Sequence, residues 1–313
     1  MARKIVLMYH SVHTPARPAV LGAFPFPFAR FCWQLEAARA AGWRFGRMSQ
    51  VREPVDVDTL YVTSDDGTRD WAELVLPWCE QRGIPTHVGV ITGPWLDEPV
   101  YPMTHMVQLL LKTRSEIELK HLAHRVRAAL TDDQLAYVHR IYSYEAMPYR
   151  RIIKGAFNLV FDQARAERLL GELTIDEQRR LADRFAKPEH YRPYEMVELG
   201  VHTVTHTAMG LDVETYMRDE VDRCAEHLQD HGLSHGNYFT LPMAPRYGAT
   251  ADDLIVPLKR RGYTGMIHTQ NPWDGRSFIV SRTDAKHVEA MLGLPTWDES
   301  QHAVGLSEVQ RVG

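Results

Sequence analysis

Two adjacent carboxylates and two histidines four residues apart are the residues of this 313-residue sequence whose types and spacing can do chemistry. Asp65 and Asp66 stand in Thr63-Ser64-Asp65-Asp66-Gly67. Neighbours along an extended strand face opposite sides, so both acids can serve one site only where the strand ends and the chain turns, which Gly67 permits. Taken alone, the segment reads as a simple Asp-Gly turn. The histidines stand in His202-Thr203-Val204-Thr205-His206. In an extended strand, at ~3.3 Å per residue, their imidazoles would be too far apart to share a metal ion. In a helical curl they would come within ~5–6 Å, which is chelating distance. His227, His231 and His235 repeat the spacing, but their helix is expected to end at Gly232, where histidines suit the helix dipole without any metal. Two histidines and one carboxylate of the 65–66 pair would make an open site, with room for water and substrate.

The elements that position these residues follow from hydrophobic periodicity. Residues 4–9, 60–64 and 86–92 read as buried strands, separated by helices at 31–41 and 70–82 that are closed by Gly42 and Gly83. Alternating strand and helix is the pattern of an α/β sheet or barrel. Between about residues 96 and 195 the apolar residues change to helical spacing, as in Leu119, Leu122, Val126 and Leu130, with capping-box signals at Thr131 to Gln134 and Thr174 to Glu177. Alternation resumes with a strand-like run at 196–204, a helix around Met217, Val221, Cys224 and Leu228, and strand-like runs at 238–241, 265–269 and 278–280. The expected organisation is one α/β unit formed by 1–95 and 196–313, interrupted by a helical insertion at 96–195.

The composition is that of an ordinary globular chain, 44% apolar and 24% charged. Forty acidic against 36 basic residues leave a net charge of −4, which offers no positive field for nucleic acid or anionic lipid. No apolar run approaches the ~18 residues of a membrane span. The apolar stretch after Arg3-Lys4 is too short for a secretory core, and the three cysteines, Cys32, Cys79 and Cys224, do not form a disulfide framework. A cytoplasmic location is therefore expected, with the oligomeric state open.

The motifs together resemble those of the polysaccharide deacetylase (NodB-homology) family of carbohydrate esterases. Residues 63–67 are similar to that family's first motif, His-Thr-Val-Thr-His-Thr at 202–207 to its second, and Tyr-Phe-Thr-Leu-Pro at 238–242 to the start of its third. Leu7-Met8-Tyr9-His10-Ser11-Val12, and the segment from Phe31 to Gly42, resemble the opening of the branch whose first strand ends in Tyr-His. The resemblance covers about residues 4–95 and 196–287 and leaves out the insertion. It implies an α/β fold of the deformed (β/α) barrel type. It also implies Asp65 as catalytic base, one divalent ion, zinc by expectation, on Asp66, His202 and His206, and the Met243 backbone N–H as an oxyanion donor. The general acid is implied to be His10, with His287 as its rival. Ser64 stands where the family usually has an aromatic residue, Met243 where it has a tyrosine, and Thr240 where many members have an arginine orienting the base. Arg246 or Arg282 is expected to replace that arginine.

Trp273 can stack on a sugar, although its Pro and Asp-Gly neighbours require only a turn. The run Phe24-Pro25-Phe26-Pro27-Phe28 reads as a packed loop sooner than a sugar groove. The expected function is removal of an N-acyl group, acetyl or formyl, from an amino sugar of a bacterial envelope polysaccharide (O-antigen or similar) or its precursor. Two alternatives stay open: a hydrolase of a small cyclic amide or ureide, and a catalytically silent sugar-binding protein. The insertion is expected to be mostly helical and to cover the catalytic end of the barrel, against the alternative of a packing or oligomerisation module.

Overall fold

In the computed structural model, which describes residues 2–17, 25–171, 173–269 and 275–298, eight parallel strands wrap into a nearly closed barrel. They are β1 (Lys4–Tyr9), β5 (Thr59–Ser64), β6 (Thr86–Val90), β7 (Val197–Val201), β8 (His235–Thr240), β9 (Gly265–His268), β10 (Ile279–Ser281) and β11 (Thr283–Asp284). Their order around the sheet is β10-β9-β8-β7-β6-β5-β1-β11. The two ends of this path, β10 on β9 and β11 on β1, are consecutive in the chain, so Arg282 alone crosses the gap between them. Of the short strands, β2 (Val12–His13) pairs with β3 (Phe26–Pro27), and β4 (Arg44–Phe45) extends the sheet beside β5.

The alternation of side chains along the strands builds two layers. Leu7, Leu60, Val62, Val88, Leu199, Val201, Phe239 and Met266 face outward, into one core shared with the surrounding helices. That outer ring includes α1 (Phe28–Ala40), α2 (Leu76–Gln81), α9 (Val213–Tyr216), α10 (Arg223–Asp230), α11 (Ile255–Arg260) and α12 (Val288–Leu292). Inside the barrel, Val6, Tyr61, Tyr238, Ile267 and Val280 pack with Met48 and Val51 into a separate apolar cluster. One inward position further along β5 and β8 stand Thr63 and Thr240, both fully buried, so the interior turns polar toward the C-terminal strand ends. That end of a parallel barrel is where loops can assemble a site.

Between β6 and β7 the chain forms α3 (Met103–Thr113), α4 (Glu116–Ala128), α5 (Asp132–Ile141), α6 (Pro148–Leu159), α7 (Gln163–Leu170) and α8 (Ile175–Ala182). Capping boxes start α4 at Ser115, α5 at Thr131 and α8 at Thr174. These helices carry their own apolar cluster, including Val107, Leu119, Val126, Ile153 and Phe157. They do not interrupt the barrel, because β6 and β7 pair in continuous register from Thr86 opposite Val197 to Val90 opposite Val201. At its exit the segment is tied to the barrel by backbone bonds from Arg69 N–H to Arg184 C=O and from Ala186 N–H to Gly67 C=O, each 2.9 Å.

Candidate metal and catalytic site

Five strand ends deliver the side chains singled out in the sequence. His10 follows β1, Asp65 and Asp66 follow β5, His202 follows β7, Met243 lies beyond β8, and Arg282 joins β10 to β11. The backbone there is unusual. Among the described residues, the non-glycine positions with positive φ are Asp66 (73°), Thr203 (72°), His206 (55°) and Met243 (32°), and all four lie at this end of the barrel. Backbone strain of this kind persists only where the surroundings enforce it, and it concentrates at functional sites. At the first motif, Asp66 and Gly67 (φ 62°) are both left-handed. The strand stops at Ser64, and the turn lets two neighbouring carboxylates serve one site. At the second, the expected helical curl is not what forms. β7 ends at Val201, and residues 202–206 turn through left-handed Thr203 and His206, bringing the two imidazole centroids to 4.8 Å. Glu220 holds this turn by accepting the Val204 and Thr205 N–H groups and the Thr205 hydroxyl.

Asp66 Oδ1 lies 3.5 Å from His202 Nε2 and 3.4 Å from His206 Nε2. Two atoms that share a tetrahedral ion at ~2.0–2.1 Å stand about 3.3 Å apart, so this is the spacing of co-ligands. Ligand atoms of Asp66, His202 and His206 all lie within 4.8 Å of one another, and among the described residues this is the group arranged to hold a metal ion. Asp66 Oδ1 and His202 Nε2 are buried and have no hydrogen-bond partner in the protein, a costly state for polar atoms unless something else satisfies them. A carboxylate with two imidazoles is a donor set for zinc and neighbouring divalent ions. The residues therefore fit a bound divalent cation. His202 Nδ1 is 2.8 Å from the Thr240 carbonyl, which fixes the proton there and turns Nε2 toward Asp66. Burial pulls the His206 ring down to about 3, outweighing Asp66, and so keeps it in the neutral form that ligates.

Asp65 faces the same space and is gripped by Arg282 through two parallel bonds, Nη1 to Oδ1 at 2.5 Å and Nη2 to Oδ2 at 2.6 Å. Burial pushes this carboxyl up, but the Arg282 charge and hydrogen bonds win and hold it at about 2. His10 Nε2 lies 3.7 Å from Asp65 Oδ2, and Ser64 donates its hydroxyl to the His10 carbonyl at 3.0 Å.

The remaining sequence candidates fall in different places. Arg246 reaches Thr207 Oγ1 at 3.1 Å and lines a cleft with His206 and Met243, but the cation on Asp65 is Arg282. His287 stands exposed in the turn before α12. Trp273 lies outside the described residues. His227, His231 and His235 form no such cluster: His227 Nδ1 contacts Thr92 Oγ1 at 3.0 Å, and His231 caps the end of α10.

Several residues here carry no motif signal in the sequence. His105, on α3, places Nε2 3.2 Å from Asp66 Oδ2, and Thr104 Oγ1 lies 3.0 Å from His206 Nδ1. His87 sits inside the barrel, where Gly200 leaves room for its ring, and burial first, then the Arg282 charge, lowers its pKa to about 3. His268, on β9, is buried, and burial first, then the Arg282 charge, lowers its pKa to about 4. The sequence signal for His87 and His268 was a histidine in an apolar strand, and for His105 there was none.

No family model matches this chain, and no curated protein sequence matches it. Solved structures do. IcaB of Ammonifex degensii aligns with a TM-score of 0.52 at 15% identity, covering 97% of both chains. A de-N-acetylase from Aggregatibacter actinomycetemcomitans gives 0.53 at 14%, covering 91% of this chain and 96% of its own. The deacetylase PplD of Streptococcus pyogenes, solved with acetate, gives 0.50 at 14%, covering 90% and 92%. At such identities the likeness establishes the fold alone: this chain shares the nearly closed α/β barrel of these structures, and it carries an Asp-His-His group able to bind a metal.

Proposed function

We propose that the protein is a metal-dependent hydrolase that removes an N-acetyl or N-formyl group from an amino sugar of a bacterial envelope polysaccharide or its precursor. The observation that carries this reading is the division of labour between adjacent carboxylates: Asp65 is paired with Arg282, while Asp66 meets the two histidines. Asp66, His202 and His206 would hold a divalent cation, which would supply Lewis-acid polarisation of the amide carbonyl and make a water easier to deprotonate. Asp65, kept ionised by Arg282, takes the proton of the attacking water as the C–O bond forms. The Met243 N–H is assigned to the oxygen that gains charge. His10, beside Asp65, gives a proton to the departing nitrogen as the C–N bond breaks, leaving a free amine and a carboxylate.

The space around these groups supports a small acyl group. The cleft between His206, Met243 and Phe157 and Asn158 of α6 holds about 20 Å³ of free volume, room for roughly one water-sized group. We assign the formyl or acetyl group to this narrow cleft. A wider cleft of about 250 Å³ runs from His10 past Phe26, Arg30 and Asp284, and we assign the sugar to it. Because insertion helices wall the acyl side, we read residues 96–195 as covering the site, so short chains and chain ends are preferred to the middle of a polymer. The test is release of acetate or formate from N-acylated amino sugars and oligosaccharides by the metal-loaded protein, compared with Asp65→Asn. Turnover lost in the variant supports the reading. Sugar binding without turnover in the parent protein favours a silent binder, and turnover only on cyclic amides moves the substrate class.

A further inference from the structure

Each of the three ligand side chains needs an outer partner to fix its orientation. His202 finds one in the barrel, the Thr240 carbonyl. The other two find theirs in the insertion, on consecutive residues. Thr104 Oγ1 lies 3.0 Å from His206 Nδ1, and His105 Nε2 lies 3.2 Å from Asp66 Oδ2. Both residues belong to the first turn of α3 and are buried, His105 to 1% exposure. Helical neighbours project ~100° apart, so one turn reaches two ligands only if the helix start is driven into the space between them. The segment entering α3 is fixed for this: Val100 N–H bonds the Gly93 carbonyl, and a Cβ on Gly93 would come within 2.6 Å of the Val204 carbonyl oxygen. From the far end of the insertion, Phe185 packs edge-on against the His105 ring, centroids 4.9 Å apart.

We infer that the helical insertion supplies the outer partners of two of the three metal ligands, His206 and Asp66. Thr104 and His105 are positioning residues for His206 and Asp66, and metal binding is thereby coupled to docking of the insertion. The inference rests on the metal site proposed above. Asp66 divides its oxygens, Oδ1 toward His202 and His206 and Oδ2 toward His105. With the proton on Nε2, His105 donates to Oδ2 and leaves Oδ1 for the ion. The partnerless buried Nδ1 of His105 is then a lone pair and not a stranded N–H. The Thr104 hydroxyl accepts the His206 Nδ1–H, turning the Nε2 lone pair into the site.

The test is Zn2+ affinity by chelator competition in the full chain, together with limited proteolysis of the insertion with and without Zn2+. Thr104→Val and His105→Leu should each weaken Zn2+ binding by about 10–100-fold, while Thr104→Ser and His105→Gln, which keep a hydroxyl and an N–H donor, recover most of it. Zn2+ should slow cleavage within 96–195 in the parent protein and not in His105→Leu. Zinc-free melting curves check that the variants are folded. Affinities within twofold of the parent in folded Val and Leu variants, or no rescue by Ser and Gln, overturn the inference. If Asp66→Ala still abolishes binding in that case, the metal site itself stands. A parent protein that does not bind Zn2+ overturns both.

Discussion

Replacing Arg282 with methionine removes the cation from a pair in which both side chains are almost wholly buried, 3% exposed for Arg282 and 6% for Asp65. Asp65 then keeps a charge inside the barrel with only His10, 3.7 Å away, as a described ion-pair partner. Thr63 loses a further contact, since Arg282 Nη1 also reaches its hydroxyl at 3.3 Å. Breaking a buried pair from one side costs about 3–5 kcal/mol, mostly as the penalty of the stranded charge. Arg282 is also the residue that spans the gap between β10 and β11, so its backbone must be shown intact. The double variant Asp65→Asn/Arg282→Met serves that purpose, because with the charge gone most of the loss should return. Urea unfolding with chelator present, so that metal binding does not enter, measures all four members of the cycle. A coupling energy of roughly 2 kcal/mol or more is expected. A single variant within 1 kcal/mol of the parent, or a double variant whose losses simply add, would refute the buried-pair reasoning.

Gly200→Ala would place a Cβ 2.4 Å from His87 Nε2, so overpacking should cost about 1–3 kcal/mol, and His87→Ser in the same chain should relieve it; a neutral single variant in thermal unfolding contradicts the packing. The three cysteines are buried and free, and burial disfavours the thiolate in each, raising Cys224 to about 12. They should therefore ignore a thiol reagent at pH 8 in the native protein and all react after denaturation, and fast native reaction of any of them would count against the described core.

The fold was legible because the barrel strands are short buried runs with clear periodicity. β1 spans the residues expected, and β5, β6, β8 and β9 differ from expectation only at their ends. Two capping boxes of the 96–195 segment were readable from Thr131 and Thr174 for the same local reason. The candidate ligands were legible as residue types, but not the geometry that unites them. Spacing alone offered a strand or a helical curl for 202–206, whereas the chain takes a left-handed turn held from 15 residues away by Glu220. The cation on Asp65 was narrowed only to Arg246 or Arg282, because the choice depends on where the barrel nearly closes, at β10 and β11, and β11 has only two residues. Thr104 and His105 could not be read at all: they lie 38 and 39 positions after Asp66, and only tertiary packing makes them neighbours.

The central claim is that Asp65 moves a proton while Asp66 holds the ion, and it is tested most directly by metal content and turnover measured together in Asp65→Asn and Asp66→Ala. Asp65→Asn is expected to retain the metal stoichiometry of the parent while release of acetate or formate falls by several orders of magnitude. Asp66→Ala is expected to lose the metal. Equal metal loss in the two variants, or full turnover in Asp65→Asn, would contradict the assignment.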